Sequence, residues 1–425
     1  MSGATAGDQR RADLLARRQR LLGPAYRTFY EDPVEIVRGA GTKLFDAEGI
    51  EYLDAYNNVP CVGHAHPRVV AAIADQAARL NTHTRYLAEP ILDYSERLLA
   101  TLGAPLDRVM FTCSGSEATD LALRLARFET GGQGVVATAN AYHGVTTAAA
   151  EVSPSLGPAV APGPSVRTIV PPAPGATDAR AEGERMAREL ADAVADLDAA
   201  GIGFAAFICD SVLSSDGIVP QPVGFLGPLL DEVHARGGLF IADEVQAGFA
   251  RTGEHMWGFS RHGIRPDLVT MGKPMGNGMP IAAVACRADL LDRFGKETRF
   301  FSTFGGNSVC IAAATAVLDV IEDEDLAANA TAVGAHLEGG LEALESRTPL
   351  LAGPRGTGLF LGISVTDPDG DDAALANRIL NGLRDRHVLI GITGPNADVL
   401  KIRPPLPFSE ADADRLLEAL AETVS

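Results

Sequence analysis

The chain is poor in positive charge. Its 425 residues include 36 Lys and Arg against 55 Asp and Glu, which gives a formal net charge of −19 at pH 7. Nucleic acid and anionic membranes bind to basic surfaces, so we expect neither as a partner. An anionic small molecule is still compatible with this charge, because a few backbone N–H groups can bind a phosphate locally.

The chain also has few cysteines and no long apolar run. Its five cysteines are far apart and form no CxxC pair, which is typical of a reducing compartment. No apolar run approaches the ~18 residues that span a bilayer. The basic N-terminus lacks the apolar centre of a secretory signal and is predicted to be a disordered cap followed by a short surface helix. We therefore expect a cytoplasmic protein.

The length and the strand pattern predict an α/β protein of more than one lobe. From Arg108 to about Val309, apolar strands alternate with glycine-rich turns and helices, which indicates a large, doubly wound, mainly parallel sheet. Residues 154–176 are rich in Pro, Ala, Gly and Ser and are predicted to be an exposed excursion. We predict an N-terminal segment (1–61) that packs with a small α+β domain (312–425), and a large domain (62–311).

An acid and a lysine end two apolar strands in the middle of the chain. Asp243 follows LFIA, and Lys273 follows LVTM and a glycine. Strand ends are where ligands bind in open α/β sheets, and buried charges need partners. One interpretation is a structural ion pair. The other, which the tightly turned sequence around Lys273 favours, is an aldehyde cofactor between the two groups, with Val245 packed against its ring and Gln246 bonded to a ring hydroxyl.

A Ser-Gly-Ser sequence follows the strand that begins at Arg108. Ser114, Gly115 and Ser116 precede a predicted helix that starts near Glu117. Free N–H groups at a helix start, with the helix dipole, suit a phosphate. Serine is also a frequent helix cap, so capping is the alternative.

An aromatic residue follows the next strand. Tyr142 is a candidate platform for a planar ring, and His143 beside it is a candidate cofactor contact. The alternative is core packing for Tyr142 and a surface turn for His143.

Five segments together resemble one family. SGSEA, AYHG, ADEVQ, PDLVTMGKPMGNGMP and TFGGN are similar to motifs of the class III (ω-type) aminotransferases, which are pyridoxal-phosphate enzymes of fold type I. The resemblance covers about residues 26–407. It implies that Lys273 forms the Schiff base with the cofactor and that Asp243 faces the pyridinium nitrogen. It also implies that Gly115 and Ser116 hold the phosphate and that Tyr142 stacks on the ring.

The resemblance further implies a homodimer with shared active sites. Thr303 of TFGGN matches the threonine that reaches the phosphate of the neighbouring subunit, although by itself it is an ordinary loop hydroxyl. Arg403 matches the arginine that binds a substrate carboxylate, with a surface salt bridge as the alternative. Substrate specificity is expected in loops that contain Asn58, Arg85 and Tyr86.

One segment departs from the commonest family pattern. Where many members have Glu-Pro, this chain has Asp210-Ser211, followed by a second serine at Ser214. That sequence is closer to the branch similar to alanine–glyoxylate aminotransferase 2 and its phospho-lyase relatives. Asp210 is one methylene shorter than Glu, which leaves open whether it positions the cofactor ring or pairs with Arg403.

The expected function is an aminotransferase that moves an amino group from an amino acid or amine to a keto or aldehyde acceptor by a ping-pong mechanism. The alternative is a phospho-lyase acting on an amino-alcohol phosphate. That reaction needs further cations, for which Lys401, Arg403, Arg85 and Arg299 are candidates. A cofactor-binding protein without turnover is disfavoured, because Lys273 and Asp243 are both present.

Overall fold

The computed structural model describes residues 6–425. The predicted disordered cap falls largely on residues 1–5, which lie outside the described residues, and the predicted surface helix follows it as α1. The helices are α1 (Ala6–Leu22), α2 (Pro67–Arg79), α3 (Glu89–Leu102), α4 (Gly115–Thr130), α5 (Thr147–Glu151), α6 (Ala179–Ala199), α7 (Leu226–Ala235), α8 (Ala288–Glu297), α9 (Ser308–Asp323), α10 (Leu326–Glu345), α11 (Asp372–Asp385) and α12 (Glu410–Thr423).

The strands form three sheets. They are β1 (Ile36–Ala40), β2 (Lys43–Asp46), β3 (Glu51–Asp54), β4 (Arg108–Thr112), β5 (Gly134–Thr138), β6 (Val166–Ile169), β7 (Phe204–Asp210), β8 (Leu239–Asp243), β9 (Leu268–Met271), β10 (Ala282–Cys286), β11 (Leu351–Thr357), β12 (Phe360–Val365), β13 (Val388–Leu389), β14 (Gly391–Thr393) and β15 (Val399–Ile402).

The largest sheet has seven strands in the order β4-β10-β9-β8-β7-β5-β6. Its neighbours pair in parallel except at β10, which is antiparallel to both β4 and β9. This arrangement confirms the predicted α/β class and the mainly parallel, doubly wound sheet. The carboxyl ends of β7, β8 and β9 therefore meet at one edge, which is where ligands bind in such sheets.

Alternating side chains explain why the central strands are apolar throughout. Phe207 and Phe240 pack into the core on one face of the sheet, whereas Ile208 and Ile241 pack into the core on the other. A strand covered on both faces buries every residue, and all residues of β7 and β8 are buried. Helices cover both faces, so a charged group at a strand end lies at the rim of a dry core.

The two smaller sheets pack against the C-terminal helices α10 and α11. One has the order β11-β12-β15-β14 and is antiparallel. The other is built from the N-terminal strands β1, β2 and β3, and the C-terminal strand β13 pairs in parallel with β3. The chain ends are thus joined through one sheet. The predicted domain boundaries after residues 61 and 311 stay predictions.

One sequence expectation was wrong in part. Residues 154–176 are not simply an exposed excursion, because Val166–Ile169 forms β6, the edge strand beside β5. Val166 and Ile169 are buried, and four residues amid prolines are too short a run to stand out in the sequence. Within residues 6–425, no helix has the length and apolar character that crossing a membrane requires.

Candidate active site

A cavity of about 240 Å³ opens at the carboxyl ends of β7, β8 and β9. Asp210 ends β7, Asp243 ends β8, and Lys273 follows β9 after one glycine. The predicted site residues that line this cavity are Ser114, Gly115, Ser116, Tyr142, His143, Asp210, Asp243, Val245, Gln246 and Lys273. Five chain segments that the sequence separates widely therefore meet in one place.

Asp243 is held by three donors rather than by the lysine. His143 Nδ1 lies 2.6 Å from its Oδ2, and a carboxylate only accepts, so Nδ1 carries the proton. The backbone N–H of Val245 donates to Oδ1 at 3.0 Å, and the hydroxyl of Thr270 donates to the same oxygen at 3.2 Å. These bonds fix the direction of the carboxylate at the floor of the cavity.

Lys273 has no carboxylate partner. No carboxylate oxygen of the described residues lies within 4.0 Å of its amine, so a structural ion pair with Asp243 is absent from this part of the chain. Burial and, to a smaller extent, the nearby charge of Arg403 lower the pKa of Lys273 to about 8, against the opposing effect of Asp243 and Asp210. With this pKa, about a tenth of the amine is neutral at pH 7, and the neutral form is the one that can act as a nucleophile or base.

The start of α4 is the place where the sequence predicts an anion cradle. Ser114 is its N-cap, and its hydroxyl accepts from the N–H of Glu117 at 3.2 Å. The capping alternative thus holds for the Ser114 hydroxyl, while the N–H groups of Gly115 and Ser116 lie in the first turn, where no helical carbonyl precedes them. A Cβ at Gly115 would lie 2.9 Å from Cγ1 of Val245, so only glycine lets the cradle approach that side chain.

Tyr142 and His143 follow β5 in a loop that touches the cradle. The Lys273 amine lies 5.9 Å from the centre of the Tyr142 ring. A Cβ at Gly144 would lie 2.6 Å from Oγ of Ser116, which explains the glycine after the histidine. The His143 side chain is buried and its Nε2 has no partner among the described residues, so it is not a surface turn residue.

This geometry fits pyridoxal phosphate, the group that the resemblance implies. The first turn of α4 suits a phosphate, Tyr142 offers an aromatic face, and Asp243 is an anchored acceptor for a protonated ring nitrogen. Lys273 offers an amine that burial makes partly neutral. Each part of the cofactor thus has a matching group at the cavity. Nowhere in residues 6–425 do three or more His, Cys, Asp or Glu residues cluster as a metal site would require.

Gln246 connects the cavity to two buried cations. Its Oε1 accepts from Arg403 Nη1 and, at 3.4 Å, from Lys401 Nζ, while its Nε2 donates to Ser214 Oγ at 2.7 Å. Arg403 is buried, so the predicted alternative of a surface salt bridge is wrong. Burial lowers the pKa of Arg403 and lowers that of Lys401 strongly.

The Asp210 side chain is hydrogen-bonded to the loop that directly follows β7. Its carboxylate accepts from the N–H groups of Val212 at 2.9 Å and Ser214 at 3.1 Å. Burial, together with the charge of Asp243, raises the pKa of Asp210. No ion pair between Asp210 and Arg403 exists in the described part of the chain.

The remaining predicted residues lie away from this cavity within one chain. Thr303 is exposed in the loop before α9. Arg85 and Tyr86 line a second cavity, where the Arg85 guanidinium lies 3.8 Å from the centre of the Phe301 ring. Asn58 is buried, and neither polar atom of its amide has a partner among the described residues. The roles proposed for these four residues stay predictions.

Sequence reasoning missed several supporting residues. Thr270 bonds to Asp243 because strand pairing places these two residues side by side, a register that the sequence does not display. Glu244 is fully buried and accepts from Ser211 Oγ at 2.7 Å and from the N–H groups of Gly258 and Phe259. Its position directly after Asp243 was the only available signal.

Comparison with known proteins identifies similar chains over nearly the full length. The family described as Aminotransferase class-III matches residues 27–424. Alanine–glyoxylate aminotransferase 2 homolog 2 of Arabidopsis thaliana is 39% identical over 419 residues, which are 97% of this chain and 87% of that protein. Ethanolamine-phosphate phospho-lyase homolog 1 of Caenorhabditis elegans is 35% identical, and the alignment covers 100% of this chain and 96% of that protein.

A solved structure shows the same fold. It is a phospholyase from Arthrobacter in complex with phosphoethanolamine, with a TM-score of 0.93 and 44% identity. The alignment covers 97% of this chain and 99% of that one. Two named activities therefore occur among proteins similar to this chain.

Proposed function

Because the chain belongs to the class-III aminotransferase family, whose cofactor is pyridoxal 5′-phosphate, we propose that it moves an amino group from an amino acid or amine to a keto or aldehyde acceptor. The observation that carries this proposal is the pair of groups at adjacent strand ends: Asp243, anchored by three donors, and Lys273, which has no ion pair in the described residues. The substrates are small molecules that enter the cavity between these groups.

Each residue of the site has a separate role in this proposal. Bound pyridoxal phosphate supplies an aldehyde for the substrate amine and a ring that accepts electrons. Asp243 orients the ring through its nitrogen, and His143 and Thr270 keep that carboxylate in place. Gly115 and Ser116 hold the phosphate, Tyr142 and Val245 cover the ring, and Gln246 bonds to its hydroxyl.

Lys273 has two roles. Its neutral amine holds the cofactor before substrate binds, and it then removes a proton from the carbon that bears the substrate amine. The pKa of about 8 puts this amine close to the working pH of most enzymes, where a general base is most effective. The same lysine would return that proton to the cofactor carbon that receives the amino group, and the second half-reaction would run this transfer in reverse on the acceptor.

The test is a panel of amino donors followed by cofactor absorbance, with pyruvate and 2-oxoglutarate as acceptors. A donor that converts the cofactor to its amine form, with ping-pong kinetics in the presence of an acceptor, is the expected result. Lys273→Ala is expected to lose both the Schiff-base absorbance and turnover. A cofactor that no donor converts, or retained activity in K273A, would contradict the proposal.

A second candidate function is a phospho-lyase. Two observations favour it: the similarity to proteins named as phospho-lyases, and the buried cations Lys401 and Arg403 beside Gln246. Release of inorganic phosphate from phosphoethanolamine, without conversion of the cofactor to its amine form, would support this function over amino transfer.

We further propose a homodimer with shared active sites. Large apolar side chains are exposed around the second cavity, among them Tyr86, Leu87 and Leu92. The neighbouring loop contains Thr303, and Phe304 beside it is 68% exposed. A second copy that covers this surface would bring Thr303 to the partner's cofactor phosphate, and light scattering of the purified protein measures the dimer mass directly.

We also propose the cytoplasm as the compartment. The five cysteines are all free, and four of them are buried. Free thiols suit a reducing compartment. Cell fractionation tests this assignment, and recovery of the protein in an oxidising compartment would contradict it.

A further inference from the structure

Arg251 is a charged residue in the core that the proposed mechanism does not use. It is 1% exposed, although arginine is almost never fully buried unless it is paired. No carboxylate oxygen of the described residues lies within 4.0 Å of its guanidinium. Its Nη2 has no hydrogen-bond partner among the same residues. A buried guanidinium without an anion lowers the stability of the fold.

The charge of Arg251 persists in these surroundings. Burial lowers its pKa to about 10, and the nearby charge of Arg403 lowers it as well, against the opposing effect of the Cys61 thiol. With this pKa the guanidinium is still charged at neutral pH. The chain therefore keeps two positive charges close together in its interior.

The backbone that leads to Arg251 is also strained. Phe249 and Ala250 both have a φ of +61°, a left-handed conformation that residues with a side chain rarely adopt. They lie in the turn after β8 that also carries Gln246. Such conformations persist only where surrounding contacts hold them, and they occur preferentially at functional sites. Three consecutive residues thus reduce stability at one place.

The guanidinium joins two segments of the C-terminal part of the chain. Its Nη1 donates to the carbonyl of Leu359 at 3.1 Å and also to the carbonyl of Pro404. Pro404 directly follows Arg403, and Leu359 directly precedes Phe360. The Phe360 ring in turn lies 5.5 Å from Cζ of Arg403. One nitrogen therefore holds the backbone beside Arg403 and the backbone beside the ring that faces it.

The backbone of Arg403 is held on both sides. Its N–H donates to the carbonyl of Ala55 at 2.8 Å, and the carbonyl of the next residue, Pro404, accepts from Arg251. One contact comes from the N-terminal segment and the other from the turn after β8. The direction in which the Arg403 side chain leaves the backbone depends on both contacts.

We propose that Arg251 is a positioning residue that orients Arg403 for the carboxylate of the substrate. The inference rests on the proposed function and on the carboxylate-binding role that the family resemblance implies for Arg403. Pairing between a guanidinium and a carboxylate is directional, because two parallel N–H bonds must align. A displacement of about 1 Å is enough to lose much of such an interaction.

Two amino donors that differ in one group provide the first test. L-alanine and isopropylamine share an amine and a methyl group, and only L-alanine has a carboxylate. Conversion of the cofactor to its amine form is followed by absorbance in the holoenzyme. Arg251→Met is expected to lower kcat/KM for L-alanine at least about tenfold relative to isopropylamine. An unchanged ratio would overturn the proposal.

Propionate binding tests the inference without turnover, because propionate has the carboxylate and no amine. Isothermal titration of wild-type holoenzyme is expected to show binding that Arg403→Met abolishes and Arg251→Met weakens at least about tenfold. Wild-type affinity in R251M would overturn the inference by itself. If wild type binds no propionate, or R403M binds it normally, Arg403 does not bind the carboxylate and the inference fails with that role. If no donor converts the cofactor, amino transfer fails, whereas propionate binding still decides the role of Arg251.

Arg261→Met is the matched control. Arg261 is half-buried, donates to the carbonyl of Pro220 at 3.3 Å, and has a pKa that burial lowers. It does not line the cavity. R261M is expected to leave the propionate affinity and the ratio of the two donors unchanged.

Urea unfolding separates positioning from a structural role. Methionine fills similar space without a charge, so R251M should unfold at the same or a higher urea concentration than wild type. A lower midpoint with an unchanged donor ratio would show a structural role and contradict the proposal. If R251M does not fold, Arg251→Lys is measured instead. Its charged amine is one bond shorter and reaches the two carbonyls less well, so the donor ratio should fall at least about threefold. An unchanged ratio in R251K would then overturn the proposal.

Discussion

At the scale of single residues, burial and the choice of partner set the chemistry of each charged group. Asp243 has three donors, whereas Lys273 has no ion pair in the described residues and lies near the charge of Arg403. The first environment orients a carboxylate, and the second disfavours an ammonium ion. This difference suits Asp243 to the proposed role of anchor and Lys273 to the proposed role of base.

Lys273 is expected to destabilise the cofactor-free protein at neutral pH. Its folded pKa of about 8 lies below the unfolded value of 10.5, so below pH 8 the folded state buries a charge at a cost of about 3 kcal/mol. This cost disappears as the pH rises from 8 to 10.5. Lys273→Met should therefore unfold at higher urea concentration than wild type at pH 7, with a difference that shrinks by pH 10.

The exposed Lys296 provides the matched control for that comparison. K296M should show no pH-dependent difference from wild type over the same range. A stability difference between K273M and wild type that is independent of pH would contradict the lowered pKa.

His143 is expected to act on the reaction through Asp243. His143→Leu removes the donor at 2.6 Å, and losing a hydrogen bond to a charged group should lower kcat about 10- to 100-fold. His143→Asn can offer a donor near the Nδ1 position and should recover part of the loss. Equal kcat values in H143L and wild type would show that Thr270 and the Val245 N–H suffice.

At the scale of elements, the site is made where three strands end and one helix begins. Parallel pairing aligns Asp210 with Asp243 and Asp243 with Thr270 across β7, β8 and β9. The N-terminus of α4 meets the loop after β8 where Gly115 contacts Val245. Elements rather than individual loops therefore hold the charged groups in register.

The N-terminus of α4 lies so close to Val245 that adding one methyl group at Gly115 should have a measurable effect. Gly115→Ala places a Cβ 2.9 Å from Val245 Cγ1, so we expect weaker cofactor binding and a loss of about 1–3 kcal/mol in stability. Gly339→Ala is the control, because this glycine lies in α10 with open space around its Cβ position and should gain up to about 1 kcal/mol. Cofactor titration and urea unfolding measure both effects. Unchanged cofactor affinity in G115A would remove Gly115 from the cradle.

At the scale of the whole molecule, the exposed surface around Leu87 is the proposed contact between two copies of the chain. Leu87 is fully exposed in the single chain, with Tyr86 and Phe301 lining the adjacent cavity. Contiguous apolar surface of this kind marks an interaction site. The location beside Thr303 makes a second copy of this chain the proposed occupant.

A charged residue introduced on that surface is expected to separate the subunits and lower the affinity for the cofactor. Leu87→Glu should shift the mass measured by light scattering toward the monomer and lower cofactor affinity, because Thr303 then has no partner to reach. Val223→Glu alters another exposed apolar residue and should leave the mass unchanged. A dimer of L87E with wild-type cofactor affinity would contradict the proposed interface.

Much of the fold was predictable because every residue of four strands of its large sheet is buried. β5, β7, β8 and β9 are buried throughout, so their apolar runs stand out and end at identifiable turns. β6 has four residues at a sheet edge, amid prolines, and gave no such signal. Its place depends on pairing with β5, a contact that local sequence does not encode.

The sequence by itself determined the kinds of chemistry this protein has: a lysine after one apolar strand, an acid at the end of another, a glycine-serine helix start and an aromatic after a strand. Tertiary structure decided which groups act on which. Asp243 is hydrogen-bonded to His143, which is 100 positions away in the sequence, and Gln246 accepts a hydrogen bond from Arg403, which is 157 positions away. The Asp210 carboxylate instead accepts from the backbone of the loop that follows it. Composition and spacing fix local conformation and burial, but partners so far apart are chosen by strand register and loop path, which exist only once the chain has folded.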